Sequence, residues 1–298
     1  MKAKDCTITI NGLPLHYLDW TSDSGYTEST ETALLLHGMS GNAHIWDRFA
    51  PRLALHMRTL ALDLRGHGES GWTTAPAYKC DDYTGDIGAL LDRLGIGHVV
   101  IVAHSMSVYH AIRYAVARPD RVRRMALIDI EAKGRPEHKT MLNAGGQKPQ
   151  PVFRSMEEAL ARERRNAPHA PDDLLRDFVR HNLRNLEAGN RDTSLTYRYD
   201  RATLAEFDYY DERDNLGRIG CRVLLVYGKE SQAVNPSVMG DMERAIPSAE
   251  LAGIEAAGHL PHLDNPEAFE QAVLPFAAGS VDDGGFFQND QRRYGLDG

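Results

Sequence analysis

Continuous apolar runs recur along the chain, each ending in a polar or glycine-bearing loop: TALLLHG (32–38), MRTLALDLRGHGES (57–70), HVVIVAHS (98–105), RRMALIDIE (123–131) and CRVLLVYG (221–228). Runs of this length without polar alternation suit strands buried on both faces. Segments with helical spacing lie between them. DDYTGDIGALLDRLG (81–95) is acidic at its start and ends in Gly95, MSVYHAIRYAVARPDRV is stopped by Pro119, and PSVMGDMERAI (236–246) and NPEAFEQAVLPFA (265–277) follow later. Parallel neighbours need a crossover, which a helix supplies, so this alternation predicts an α/β fold with a mostly parallel sheet and helices on both faces. At the N-terminus CTITI and LPLHYLDW flank Asn11-Gly12, a hairpin turn, so the sheet begins antiparallel.

The rhythm breaks over 134–208. That stretch carries charged segments of helical spacing, SMEEALARERRNA and PDDLLRDFVRHNLRNLEAG, and no convincing strand. The expected organisation is therefore a core of 1–133 plus 209–278, a helical cap inserted at 134–208, and a tail at 279–298. The tail is polar and rich in glycine, which predicts disorder, although Phe286 and Phe287 give it something to dock with.

Composition narrows the function classes. A net charge of −8 argues against wholesale binding to nucleic acid or anionic membrane, though residues 162–191 are locally rich in arginine. Cys6, Cys80 and Cys221 are odd in number, far apart and not in metal-ligand spacing, as expected of reduced thiols in a cytoplasm. The N-terminus lacks the apolar core of a secretory signal, and no apolar run approaches bilayer length, so a cytoplasmic protein is expected. With no P-loop, dinucleotide fingerprint or metal-ligand cluster, no cofactor and no metal are expected. The expected partner is a small-molecule substrate, with self-association left open.

Acyl transfer needs a nucleophile, a base, a group to orient the base and donors for the oxyanion. Ser105 stands at a strand-to-helix corner, in VAHSMS, where a strained turn lifts a hydroxyl off the sheet. Glycines usually flank such a serine two positions away on each side. Here Ala103 and Ser107 occupy those places, and they are the next smallest choices. A serine after a strand is also a common helix cap, so this stretch alone decides nothing. His259, in EAAGHLPHLDNPEAF, follows the last strand and precedes a helix opened by Asn265-Pro266, which brings an imidazole to the same sheet edge. His262 competes within that segment, but it lies nearer the helix and reads as support. The backbone amides of Met39 and Met106 are the candidate oxyanion donors. His67, in LDLRGHGES, reads as structural, with Asp63 and Arg65 bracing neighbouring loops. Candidate pocket walls are His44, Trp46 and Tyr109 beside the two methionines, with aromatics of 193–214 at the cap junction.

Taken together, LLLHGMSGNAHIWD, LDLRGHGES, VAHSMS, RMALIDIE, LLVYGKES and AAGHLPHLDNPEAF resemble the α/β-hydrolase superfamily, of the capped serine esterase and C–C hydrolase kind. The resemblance spans nearly the whole chain except cap and tail, and implies an eight-stranded sheet. It also implies an acid three residues after the glycine that ends the seventh strand. Here that glycine is Gly228, and the position holds Ser231. Some members carry the acid at the end of the sixth strand instead, which matches Asp129. Glu230 and Glu131 stand second and third as alternatives. A serine at position 105 excludes the dehalogenase and epoxide hydrolase branches, which need a carboxylate there. Three readings remain: an ester or lactone hydrolase, a C–C hydrolase of a diketone, and a weakly active or inactive ligand-binding relative.

Overall fold

The computed structural model describes residues 2–20, 31–74, 77–186, 194–208 and 210–279, so Phe286 and Phe287 lie outside the described residues. In chain order the strands are β1 (Lys4–Ile10), β2 (Leu13–Trp20), β3 (Thr32–Leu36), β4 (Arg58–Leu62), β5 (Val99–His104), β6 (Val122–Ile128), β7 (Val152–Phe153), β8 (Leu183–Asn185), β9 (Leu195–Tyr197), β10 (Arg222–Gly228) and β11 (Ala249–Ile254). Eight of them form one sheet in the order β1-β2-β4-β3-β5-β6-β10-β11. β2 pairs antiparallel with both neighbours, and every other pairing is parallel.

Register decides where the chemistry falls. Leu36 lies opposite Ala103, His104 opposite Ile128, and Ile128 opposite Val226. The central strands therefore end level, and His37-Gly38-Met39, Ser105, Asp129 and the loop after Gly228 emerge along one carboxyl edge. In open α/β sheets the crevice beyond that edge is where ligands bind.

Each central strand splits its side chains between two cores, as the two-residue period of a strand requires. Leu35, Val100 and Val102 join one cluster with Trp46, Phe49 and Phe269. Leu34, Leu36, Ile101 and Ala103 join the other, packed by the helices Cys80–Arg93 and Ser107–Ala117. Near-continuous burial on both faces is why these strands read as unbroken apolar runs.

Two polar anchors hold the loops at the carboxyl edge. Arg65 donates through Nε and Nη2 to the two oxygens of Asp86, both at 2.6 Å, and both residues are buried. Asp63 accepts from the Ala43 amide at 2.6 Å, the Glu69 amide at 2.9 Å and His16 Nδ1 at 2.8 Å.

The segment 134–208 departs from expectation in one respect. Its described residues hold three strands where sequence patterning shows none: β9 pairs antiparallel with β7 and with β8. At two or three residues each, they are too short to display an alternation. Phe153, Leu175, Phe178, Val179 and Leu204 from this segment pack into the same cluster as the sheet residues Leu35 and Val102. Gly68 N also donates to Arg198 O at 2.8 Å, and Asp200 N to Gly66 O at 2.7 Å, which tie the segment to the loop after β4. No helix among the described residues is long and apolar enough to cross a membrane.

Candidate active site

Ser105 follows β5 with φ of 53°, and Asp129 follows β6 with φ of 55°. The left-handed region is costly for residues that carry a Cβ, on the order of 1–3 kcal/mol each, and persists only where the surroundings enforce it. Here each turn is pinned by its strand neighbours: Ser105 N donates to Ile128 O and Asp129 N to Val226 O, both at 2.8 Å. These turns send both side chains off the sheet edge.

The two side chains meet at His259. Its Nε2 lies 2.9 Å from Ser105 Oγ, and its Nδ1 lies 2.7 Å from Asp129 Oδ2. An ionised carboxylate only accepts, so Nδ1 carries the hydrogen and Nε2 presents its lone pair to the serine hydroxyl. The Asp129 side chain is fully buried, while that of His259 is 37% exposed. Asp129 is held by two further donors. Gly228 N reaches Oδ1 at 2.8 Å, and Ser231 Oγ donates to Oδ2 at 2.6 Å. Ser231 Oγ in turn accepts from Ala233 N at 3.1 Å.

The loop carrying His259 approaches β10 very closely. A Cβ on Gly228 would lie 2.1 Å from Gly258 O and 2.4 Å from Ala257 O, so only glycine lets the two backbones pass. His104 adds a second tether, with Nε2 2.8 Å from His259 O. A carbonyl only accepts, so this nitrogen donates, and the buried Nδ1 is left without a partner. Burial, reinforced by His262 and His259, drives the His104 pKa well below the ordinary imidazole range.

The loop after β3 faces Ser105 from the other side. A Cβ on Gly38 would lie 2.7 Å from His104 Nδ1 and 2.9 Å from Ser105 Cβ, so glycine is required there too. Ser107, the residue that replaces the second elbow glycine, is fully buried and donates to His37 O at 2.5 Å. Its hydroxyl therefore ties the helix Ser107–Ala117 to the loop bearing Met39. Among the described residues, the Met39 and Met106 amides have no intramolecular acceptor.

A cavity of about 770 Å³ opens over these groups and is lined by Ser105, His259, Met39, Met106 and Tyr109 from the core. Phe178, Leu204, Tyr197, Arg162 and Glu163 close it from the other side. Two expected wall residues are not there. Trp46 is fully buried, stacked on His262 at 4.8 Å and packed with Phe49 and Phe269. His44 stacks instead on His181, with its Nδ1 2.8 Å from Asp47 Oδ2. Both sit on the 3-10 turn Ala43–Trp46, whose tight pitch turns only Ile45 toward the cavity.

The alternative acids engage other groups. Glu131 accepts from Arg135 Nη2 at 2.7 Å and from Asn235 N at 2.8 Å. Glu230 lies 2.7 Å from His169 Nε2. His67 is buried and bonded to Arg65 O at 3.0 Å, and burial lowers its pKa to about 3. His262 is likewise buried, with a pKa lowered to about 3 by burial. Sequence reasoning overlooked the tethers Ser231 and His104. For Ser231 a signal was present: a hydroxyl at the position of a usual acid is a ready donor to an acid placed nearby.

A family model described as alpha/beta hydrolase fold matches residues 33–266. The 2-(acetamidomethylene)succinate hydrolase of Mesorhizobium japonicum is 26% identical over 247 residues, covering 82% of this chain and 86% of the relative. Esterase Rv0045c of Mycobacterium tuberculosis is 28% identical over 256 residues, 82% of each chain. A 2-hydroxy-6-oxononadienedioate/2-hydroxy-6-oxononatrienedioate hydrolase of Paraburkholderia xenovorans is 26% identical over 274 residues, 89% of this chain and 90% of that one. The crystal structure of an E-2-(acetamidomethylene)succinate hydrolase superposes with a TM-score of 0.80 at 23% identity, covering 92% of this chain and 98% of the other. With its fold and its matched span, the chain belongs to the alpha/beta hydrolase fold family.

Proposed function

We propose that the protein is a serine hydrolase that cleaves a carboxylic ester or lactone through an acyl-enzyme on Ser105. The observation that carries this reading is the unbroken relay Ser105 Oγ–His259 Nε2 and His259 Nδ1–Asp129 Oδ2, at 2.9 and 2.7 Å. In this mechanism His259 Nε2 takes the hydroxyl proton as Oγ attacks the acyl carbon. Asp129 holds the ring in the required tautomer and stabilises the imidazolium. The Met39 and Met106 amides receive the oxyanion, a contribution commonly worth about 2.7–4 kcal/mol of barrier per donor. Collapse expels the alkoxide, which takes the proton from His259. Water, deprotonated by the same nitrogen, then attacks the acyl-enzyme and frees Ser105 and the acid.

The cavity suits a small-molecule substrate with a mid-sized acyl part, since its walls combine apolar side chains such as Met39, Tyr109, Phe178 and Leu204 with charged ones such as Lys133, Arg135 and Arg162. Three free thiols support a cytoplasmic setting. A second reading, hydrolysis of a C–C bond in a diketone by the same three residues, draws support from the Paraburkholderia relative.

Turnover of a short-chain nitrophenyl ester, measured for wild type and Ser105→Ala, tests the proposal. Ser105-dependent release of nitrophenol is expected. Equal rates in both proteins, or none in either, would contradict it and favour a ligand-binding relative. Faster cleavage of a vinylogous diketone than of any ester would select the second reading.

A further inference from the structure

Away from the relay, three donor side chains converge at the seam between the 134–208 segment and the core. His44 and Asp47 are three residues apart at a 3-10 turn, a geometry that eclipses side chains at that spacing. Ring and carboxylate thus share a face, with Nδ1 2.8 Å from Oδ2. Opposite them stands His181, in the last turn of the helix Asp172–Asn182. Its ring stacks on that of His44, with centroids 3.6 Å apart and planes inclined by 20°. One ligand-capable atom from each of the three lies within 4.8 Å of the others.

The surroundings hold this arrangement in place. Asn42 Nδ2 donates to Asn182 Oδ1 at 2.8 Å, locking the residues beside the two histidines in register across the seam. The Asn42 side chain also caps the 3-10 turn by accepting from His44 N.

We propose that His44, Asp47 and His181 bind a divalent transition ion of the zinc class. Two imidazoles and one carboxylate form a three-ligand set with a position open to water, whereas magnesium and calcium demand oxygen donors. Ligation needs nitrogen–zinc distances of about 2.0–2.1 Å, reached by rotating the two rings out of their stack. Two ligands come from the core and one from the inserted segment, so the ion staples the two together beside the cavity. Ile45 and Asn182, next in sequence to His44 and His181, both line that cavity. None of Ser105, His259 and Asp129 takes part, so this site stands or falls independently of the proposed reaction.

The test is calorimetric titration of the full, tag-free chain with zinc chloride, paired with thermal unfolding. One-to-one saturable binding and an upward shift in melting temperature are expected, with no such response to magnesium. His181→Asn and Asp47→Asn should each weaken zinc binding by at least about tenfold, since even groups outside the ligand sphere cost 10–100-fold. Both variants should keep the wild-type circular dichroism spectrum. Ser105→Ala and His259→Asn should bind zinc as wild type does. Absence of saturable binding would overturn the proposal. So would affinity that is unchanged in both seam variants, or lost in His259→Asn, because the ion would then sit elsewhere.

Discussion

The Ser231 hydroxyl donates a 2.6 Å hydrogen bond to the Asp129 oxygen that also receives His259 Nδ1–H. The position where the family resemblance leads one to expect an acid thus serves an acid displaced to the neighbouring strand. Both places follow the ends of adjacent strands, because β6 and β10 pair in register.

Under the proposed mechanism, that adjacency predicts an acid that can be moved between the two positions. Asp129→Asn should lower kcat by about 10⁴-fold, the loss seen when the orienting acid of such a triad becomes an amide. Adding Ser231→Asp to that variant should recover at least ~10-fold, since a carboxylate returns within reach of the ring. A double variant no faster than Asp129→Asn would show that position 231 cannot orient His259.

The elbow has its own exchange. Ser107 fills a glycine's place and uses its hydroxyl to fasten His37 O. Ser107→Ala should cost about 1 kcal/mol, the usual net worth of one hydrogen bond, read as a lower denaturation midpoint. Turnover should fall as well, because the released loop carries Met39. Unchanged stability would mean the bond carries no weight.

Several buried histidines make the fold sensitive to acid. Burial lowers His67, His110 and His262 to about 3, and lowers His37 and His104 as well. Between about 3 and the ordinary 6.5, the unfolded chain therefore binds more protons than the native one. The stability from these groups is complete above pH 6.5 and is lost as pH falls toward 3. His16 runs the other way: burial opposes its charge, but Asp63 and Asp5 outweigh burial and raise its pKa. Its contribution is present below 6.5 and fades as pH rises through the raised value. Denaturant titrations at pH 7.5, 6 and 5 should show a falling midpoint, and a flat series would contradict this sign.

Arg65 and Asp86 form a buried two-bond pair that fixes the loop after β4 to the helix Cys80–Arg93. Arg65→Ala should destabilise by about 3–5 kcal/mol, because an unpaired carboxylate remains buried. Chemical unfolding checks this, and a loss under 1 kcal/mol would contradict it.

Much of this was legible in the sequence. The sheet strands showed as apolar runs because both faces are buried, and Ser105 and His259 were marked by their places after strands. The β7–β9 strands were not legible, since pairs and triplets of residues carry no period. Trp46 was misplaced because patterning does not tell which way a 3-10 turn rotates. Asp129 was ranked ahead of Glu230 and Glu131 from its match to the end of the sixth strand, but its contact with His259 depends on the register of β6 against β10, which one chain of letters does not contain.

The central relay is tested most directly by intact-mass and peptide mapping after reaction with a fluorophosphonate, which phosphonylates activated serines. One adduct per chain, located on Ser105 and formed far more slowly in His259→Asn, is the expected result. No adduct, an adduct on another residue, or labelling indifferent to His259 would contradict a nucleophile activated by that imidazole.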